Sequence, residues 1–293
     1  MSKLRTPSGG RPMAGARHRR SLPIRAIQYA LLALTASVAV LPLYWMVASS
    51  MKATDELGRL PPIWWSANPT LHAFEQVFSV IPYAQAFLNS FVIAAGDTIA
   101  IVVTSVMAGY VFAKYHFRGR DALFLAVLAT MFVPTVVTLV PLYHVIQAAG
   151  LVDSYPGVML PQLANAFGIF LMRQFIAGVP DELIDAARID GASEWTVLWR
   201  VIVPLLWPAI ATLVLFAFVF QWNSFLWPLT VLQSTDKFTI VLAMSQLLGY
   251  TSSIQFQNVV MAGALISVIP NLILFVFLQR FFVRGVARTG IQG

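Results

Sequence analysis

Apolar side chains fall into six long blocks. Windows of about 20 predominantly apolar residues, the length that crosses a bilayer as a helix, run over 26–48, 88–113, 122–143, 155–176, 208–232 and 258–281. The stretches between them hold nearly all the charge. This pattern predicts an all-α, polytopic membrane protein with six transmembrane helices. There is no convincing internal repeat and no low-complexity segment beyond the first 25 residues.

The basic residues orient the predicted spans. On one side stand Lys3, Arg5, Arg11, Arg17, Arg19, Arg20 and Arg25 before the first window, and Lys114, Arg118 and Arg120 between the second and third. Arg173, at the inner end of the fourth, joins Arg188 and Arg200 between the fourth and fifth, and Arg280, at the inner end of the sixth, joins Arg284 and Arg288 at the tail. The opposite side has only Lys52, Arg59 and Lys237. Lys and Arg concentrate in cytoplasmic loops, so both termini are expected in the cytoplasm. The first window is too long for the apolar core of a cleaved leader and reads as an uncleaved span. Residues 1–25, rich in Arg, Gly, Pro and Ser, read as a mobile cytoplasmic arm beside anionic headgroups, leaving 26–293 as a six-helix transmembrane domain. The long external connection, 49–88, carries Pro61-Pro62-Ile63-Trp64-Trp65 and Pro69. These predict a fixed extended turn with interfacial aromatics. Residues 70–87 have mixed helical spacing and are expected to lie partly along the outer surface.

Composition agrees with lipid as the solvent. Of 293 residues, 58% are hydrophobic and 11% charged, with mean hydropathy +0.76; a soluble domain averages about 25% charged. An ordinary cytosolic enzyme and a disordered chain are both excluded. The net charge of +7 and pI of about 10.0 follow from the one-sided loops, not from a nucleic-acid surface. With no cysteine, disulfides, zinc–thiolate sites and catalytic thiols are ruled out. His18, His72, His116 and His144 have no metal-ligand spacing, and no Ser/His/Asp arrangement can be argued, so neither a metal site nor a catalytic residue is expected.

The connection between the fourth and fifth windows is distinctive. Pro180 suits the first turn of a helix whose positive end Asp181 and Glu182 complement. Ala186, Ala187 and Arg188 favour helix, and Gly191 is a natural stop. Ser193 can cap a second helix, in which Trp195, Leu198, Trp199 and Ile202 fall at i, i+3, i+4 and i+7. Ala186 and Ala187, flanked by Asp185 and Asp190, make a small flat surface suited to close approach by a partner, or to a plain connector packed on its own bundle. Arg188 could pair with an acidic partner residue or, the favoured reading, with Glu182 or Asp185.

Asp185-Ala186-Ala187-x-x-Asp190-Gly191-Ala192, followed by Ile202-Val203-Pro204-Leu205-x-x-Pro208, resembles the EAA loop of ABC importer permeases. The similarity spans nearly the whole chain and is nearest to carbohydrate-uptake permeases of the maltose and glycerol-phosphate type. Ser49-Ser50-Met51-Lys52, Phe87-Leu88-Asn89-Ser90, Leu171-Met172-Arg173-Gln174-Phe175 and Trp222-Asn223-x-Phe225 match that group. Two positions depart from it: Asp185 stands for the usual Glu, and Leu198 where an aromatic is common.

The resemblance implies a type I importer permease whose coupling loop, about 177–206, docks on a separate ATPase. Asp181, Glu182, Asp185, Ala186, Ala187, Asp190 and Gly191 would form or support that surface. It implies two nucleotide-binding subunits carrying ATP and Mg, a second homologous permease in a heterodimer, an extracytoplasmic solute-binding protein, a sugar substrate and membrane lipid. It places the chain in the cytoplasmic membrane of a prokaryote. No G-x-x-x-x-G-K-[ST] cradle occurs in the chain, so no cofactor is expected on this subunit.

Polar residues inside the windows are the candidates for a translocation path: Asn89, Gln162, Asn165, Gln221, Trp222, Asn223 and Trp227, with Asn271 also polar within its window. The alternative for each polar group is an interhelical hydrogen bond. Asp97, alone deep in the second window, is either bonded to a neighbouring hydroxyl or amide, or protonated, or a proton-relay acid. The relay would make the chain a proton-coupled secondary carrier. Disaccharides, oligosaccharides and glycerol-3-phosphate all fit; the lack of basic residues inside the spans, where Arg173 and Arg280 sit only at inner ends, favours a neutral sugar.

Overall fold

The computed structural model describes residues 22–249 and 256–289. The predicted arm therefore lies outside the described residues, except for its last four, which open the first helix. The chain divides into two compact units, 1–45 and 46–293. No strand occurs among the described residues.

Three windows are continuous helices long and apolar enough to cross a membrane: α1 (Leu22–Ser50), α3 (Tyr83–Lys114) and α14 (Gln257–Thr289). A short helix, α2 (His72–Val80), precedes α3 and buries Ala73 and Val77 one turn apart.

The other windows are broken. The third consists of α4 (Arg120–Ala129), a 3₁₀ turn (Thr130–Phe132) and α5 (Thr135–Ala148), with a bend of 104°. Its cause is Pro134, which has no N–H to donate and drives Val133 into an extended conformation. The fourth window splits into α6 (Tyr155–Met159), a 3₁₀ turn (Leu160–Gln162) containing Pro161, and α7 (Ala166–Ala177). The Asn165 side chain caps α7 by accepting from the Gly168 N–H at 2.8 Å. In the fifth, α11 (Trp207–Trp222) stops, and α12 (Leu226–Val231) follows after three residues. Counting each bent pair as one span gives up to five helical crossings by length and composition.

One helix answers to no window and no loop helix predicted from the sequence. α13 (Ile240–Gly249) buries Ile240, Leu242, Ala243 and Leu247. At ten residues it is too short for a search tuned to bilayer thickness.

In the second unit α3 runs through the middle of the packing. One cluster of buried side chains joins the C-terminal half of α3 to α7 and the first turns of α11. A second joins its N-terminal half to α2, α13 and α14. A third lies around α6 and α12. In lipid, close packing and interhelical hydrogen bonds replace the hydrophobic drive. Gly109 and Gly168 supply the first, since a Cβ on Gly109 would come within 2.7 Å of the Met172 Cβ, and one on Gly168 would strike the Ser105 hydroxyl. The Tyr83 hydroxyl donates to the Gly263 carbonyl, and Trp222 Nε1 donates to the Ser267 carbonyl at 3.0 Å. These tie α3 and α11 to α14.

At one end of the bundle Asp153 fastens two connections. Its carboxylate accepts from the Gln233 and Ser234 N–H groups, from the Ser234 hydroxyl and from Lys237 Nζ at 2.9 Å. The Ser234 donors, with Lys237 and Gln233, hold the Asp153 carboxyl well below the usual range.

Candidate functional site

The loop after α7 folds as two helices. α8 (Asp181–Ile189) has Pro180 immediately before it, one position earlier than expected, and Asp181 and Glu182 in its first turn. It closes in a Schellman motif: the Ala192 N–H donates to the Ala187 carbonyl and the Gly191 N–H to the Arg188 carbonyl, both at 3.0 Å. Gly191 takes φ +82°, the left-handed conformation this motif needs. Ile184 is buried against the bundle, while Asp185, Ala186, Ile189 and Asp190 face outward. Ala187 is half-buried and packs on the core beside α7. The outward surface therefore has Ala186 at its centre but not Ala187. Apolar Leu183 and Ile189 join it; Ile189 is 86% exposed. Reading small residues as the signal for close approach overlooked those two.

The following helical segment, Glu194–Leu205, opens with α9 (Glu194–Thr196). Ser193 caps it by accepting from the Thr196 N–H at 3.3 Å. Val197–Ile202 then form a π-helical turn before α10 (Val203–Leu205). The wider turn shifts the predicted face. Val197, Leu198 and Ile202 are buried and Trp199 is half-buried, but Trp195 points outward. Pro204, with no N–H for the Arg200 carbonyl, accounts for the departure from α-helical bonding. The segment meets α11 at an angle of 84°.

Polar contacts bind this loop to α3. Lys114 Nζ donates to Asp181 Oδ1 at 2.6 Å and to the Val179 carbonyl at 2.5 Å, and the ammonium keeps the Asp181 carboxyl below its ordinary range. Arg188 pairs within the chain, with Asp185 Oδ1 at 3.2 Å and with Glu194 Oε1 at 2.8 Å. Glu182 is not among its contacts. Glu194 Oε2 also accepts from the Tyr110 and Tyr115 hydroxyls at 2.7 and 2.6 Å. Arg188 first, then the two phenols, draw the Glu194 carboxyl down to about 2.

A cavity of about 510 Å³ lies among α5, α11 and α12. Of the predicted path residues, Gln162, Asn223 and Trp227 line it, and Thr135, Thr138 and Ser224 add hydroxyls. Among the described residues none lining it is charged. It adjoins all three helix breaks, with Thr135 just after Pro134, Gln162 just before residues 163–165, and Asn223 and Ser224 within 223–225. The hydroxyls escaped notice because Thr and Ser blend into an apolar window.

The remaining candidates make interhelical or local bonds. Asn89 accepts from Gln85 Nε2 and Tyr155 Oη, both at 2.8 Å, and donates to the Asp236 and Phe238 carbonyls at 2.8 and 3.0 Å. Asn165 is the cap of α7. Gln221 donates to Asp97, and Trp222 is buried in stacked contact with Phe218. Asp97 is fully buried, with Oδ2 accepting from Gln221 and Oδ1 without a partner among the described residues. Asn271 Oδ1 is likewise buried and unpartnered among them. No group of three His, Asp or Glu suited to a metal ion occurs among the described residues.

Residues 100–288 match the family described as "Binding-protein-dependent transport system inner membrane component". The chain is 34% identical over 267 residues to the lactose transport system permease protein LacG of Rhizobium radiobacter, covering 91% of this chain and 96% of that one. It is 32% identical over 257 residues to the arabinooligosaccharides transport system permease protein AraQ of Bacillus subtilis (strain 168), covering 86% and 90%. Against the sn-glycerol-3-phosphate transport system permease protein UgpE of Agrobacterium fabrum it is 33% identical over 273 residues, covering 90% and 96%. The fold is similar to that in the crystal structure of a bacterial ABC transporter involved in import of the acidic polysaccharide alginate, with TM-score 0.79, 22% identity and coverage of 94% and 100%. The chain belongs to the inner-membrane component family of binding-protein-dependent transport systems, as a multi-pass membrane permease subunit.

Proposed function

We propose that this subunit passes a neutral di- or oligosaccharide across the cytoplasmic membrane of a prokaryote by alternating access. In this reading the six apolar windows cross the bilayer with both termini inside, α4–α5, α6–α7 and α11–α12 each counting as one crossing. The α8 loop lies in the cytoplasm and docks on one of two ATPase subunits that carry ATP and Mg. A second, homologous permease completes the pore, and an extracytoplasmic binding protein delivers the sugar.

The observation that carries the reading is the outward face of α8. On a loop otherwise folded onto its own bundle, Ala186 and Ile189 stand exposed between the Asp185 and Asp190 carboxylates. A helix shaped this way fits a groove with an apolar floor and a basic rim. The cavity supports the neutral substrate, because amides, hydroxyls and Trp227 suit sugar hydroxyls and ring faces, whereas a phosphate or uronate calls for a cation.

Reconstitution with candidate ATPase subunits, second permease and binding protein tests this. Ala186→Glu keeps helix propensity on an exposed face but places bulk and charge at the centre of the docking surface. It is expected to abolish ATPase-subunit binding and ATP-driven uptake; full uptake by this variant would refute the assignment.

A further inference from the structure

α3, the longest proline-free helix among the described residues, is held at both ends. It runs 32 residues with no proline and no break, about 48 Å at 1.5 Å per residue. The helix pairs on either side of α7 bend by 104° and 84°.

At one end its last turns grip α8 twice. Lys114, its side chain only 8% exposed, reaches the α8 N-terminus through Asp181 and the Val179 carbonyl. Tyr110, buried, and Tyr115, just beyond the helix, reach the α8 C-terminus through Glu194 and its pair with Arg188. The grip on Glu194 joins an ionised acceptor to three donors, the strong class of hydrogen bond. At the other end Asn89 holds the Asp236 and Phe238 carbonyls, and the Ser90 hydroxyl accepts from the Ile240 N–H at 2.7 Å. An unbroken helix fixed at both ends transmits displacement, while a bent pair absorbs it.

We infer that α3 is the lever that carries displacement of α8 to the 236–240 segment at the far end of the bundle, with Lys114, Tyr110, Tyr115 and Glu194 as its positioning residues. The inference rests on the docking role proposed for α8. Folding of the loop does not depend on the grip, since Ile184, Val197, Leu198 and Ile202 already bury it against the core. Removing the grip therefore leaves α8 in place and loosens its connection to α3.

The test uses the complete reconstituted transporter and measures sugar taken up per ATP hydrolysed. Tyr110→Phe with Tyr115→Phe removes two hydroxyls and no volume from the core; Glu194→Gln and Lys114→Met remove the charges. Each set is expected to retain the ATPase subunits while uptake per ATP falls by about tenfold, and Lys114→Arg is expected to restore most of it. Unchanged uptake per ATP in the tyrosine and Glu194 variants would overturn the lever. So would loss of ATPase-subunit binding in step with uptake, which would assign these residues to docking alone. Ala186→Glu is run in parallel: if it binds and transports normally, the docking role fails and the lever with it.

Discussion

Gln221 Nε2 donates to Asp97 Oδ2 at 2.7 Å, joining α11 to α3 through two buried side chains. The bond gives the one carboxylate of α3 a structural task. Asp97→Asn keeps a carbonyl oxygen for Gln221 and is expected to preserve ATP-driven uptake, whereas Asp97→Leu strands the amide and costs about 1–3 kcal/mol. Thermal unfolding in detergent reads the stability, and uptake into vesicles reads the function. Loss of uptake in a well-folded Asp97→Asn would instead point to proton transfer.

Gly191 makes a second, conformational prediction. Its φ of +82° meets no neighbour within 4 Å, so a side chain there is opposed by backbone strain alone. Gly191→Val is expected to cost about 1–2 kcal/mol and to unwind the end of α8. Hydrogen exchange should rise over residues 186–192 while the α3 core stays protected.

Glu194 links the loop to pH. Its folded value of about 2 lies below the ordinary 4.5, so the grip is fully present above pH 4.5 and is lost as pH falls toward 2. Wild type should lose thermal stability across that window more steeply than Glu194→Gln. Because the side chain is nearly half exposed, solvent screening keeps the difference small. Parallel curves for the two proteins would contradict the assignment.

The cavity divides the predicted path residues. Gln162→Ala and Asn223→Ala are expected to raise KM for sugar about tenfold, as loss of one or two hydrogen bonds does. Asn165→Ala should lower stability by about 1 kcal/mol with KM unchanged, because it removes a helix cap. Titrating binding-protein-delivered sugar against initial uptake rate separates the two classes.

How much of this was legible in the chain depends on what interrupts each apolar run. α1, α3 and α14 are readable as single helices, although α1 and α14 contain Pro42 and Pro270. Composition alone cannot distinguish those prolines from Pro134, where the chain turns through 104°. α13 was missed because a ten-residue apolar helix buried by neighbours leaves no bilayer-length signature. The α8 stop at Gly191 and the Ser193 cap were legible because both act through local backbone bonds. The grip of Tyr110 and Tyr115 on Glu194 joins residues about eighty positions apart, and nothing in either stretch announces the other. For the amides, sequence cannot say which neighbour an intramembrane Asn or Gln meets, so Gln162 and Asn165, one turn apart, looked alike.

Three runs of helix stop beside one cavity, and a helix that stops leaves main-chain groups without helical partners. Here several of those groups are satisfied inside the chain: the Leu163 carbonyl accepts from Thr104 Oγ1 at 2.7 Å, the Asn223 N–H donates to the Val219 carbonyl at 3.1 Å and the Ser224 N–H to the Gln221 carbonyl at 3.2 Å. The interruptions are thus sealed by short-range bonds of the main chain, which alanine at 223 or 224 leaves intact and proline at either position removes.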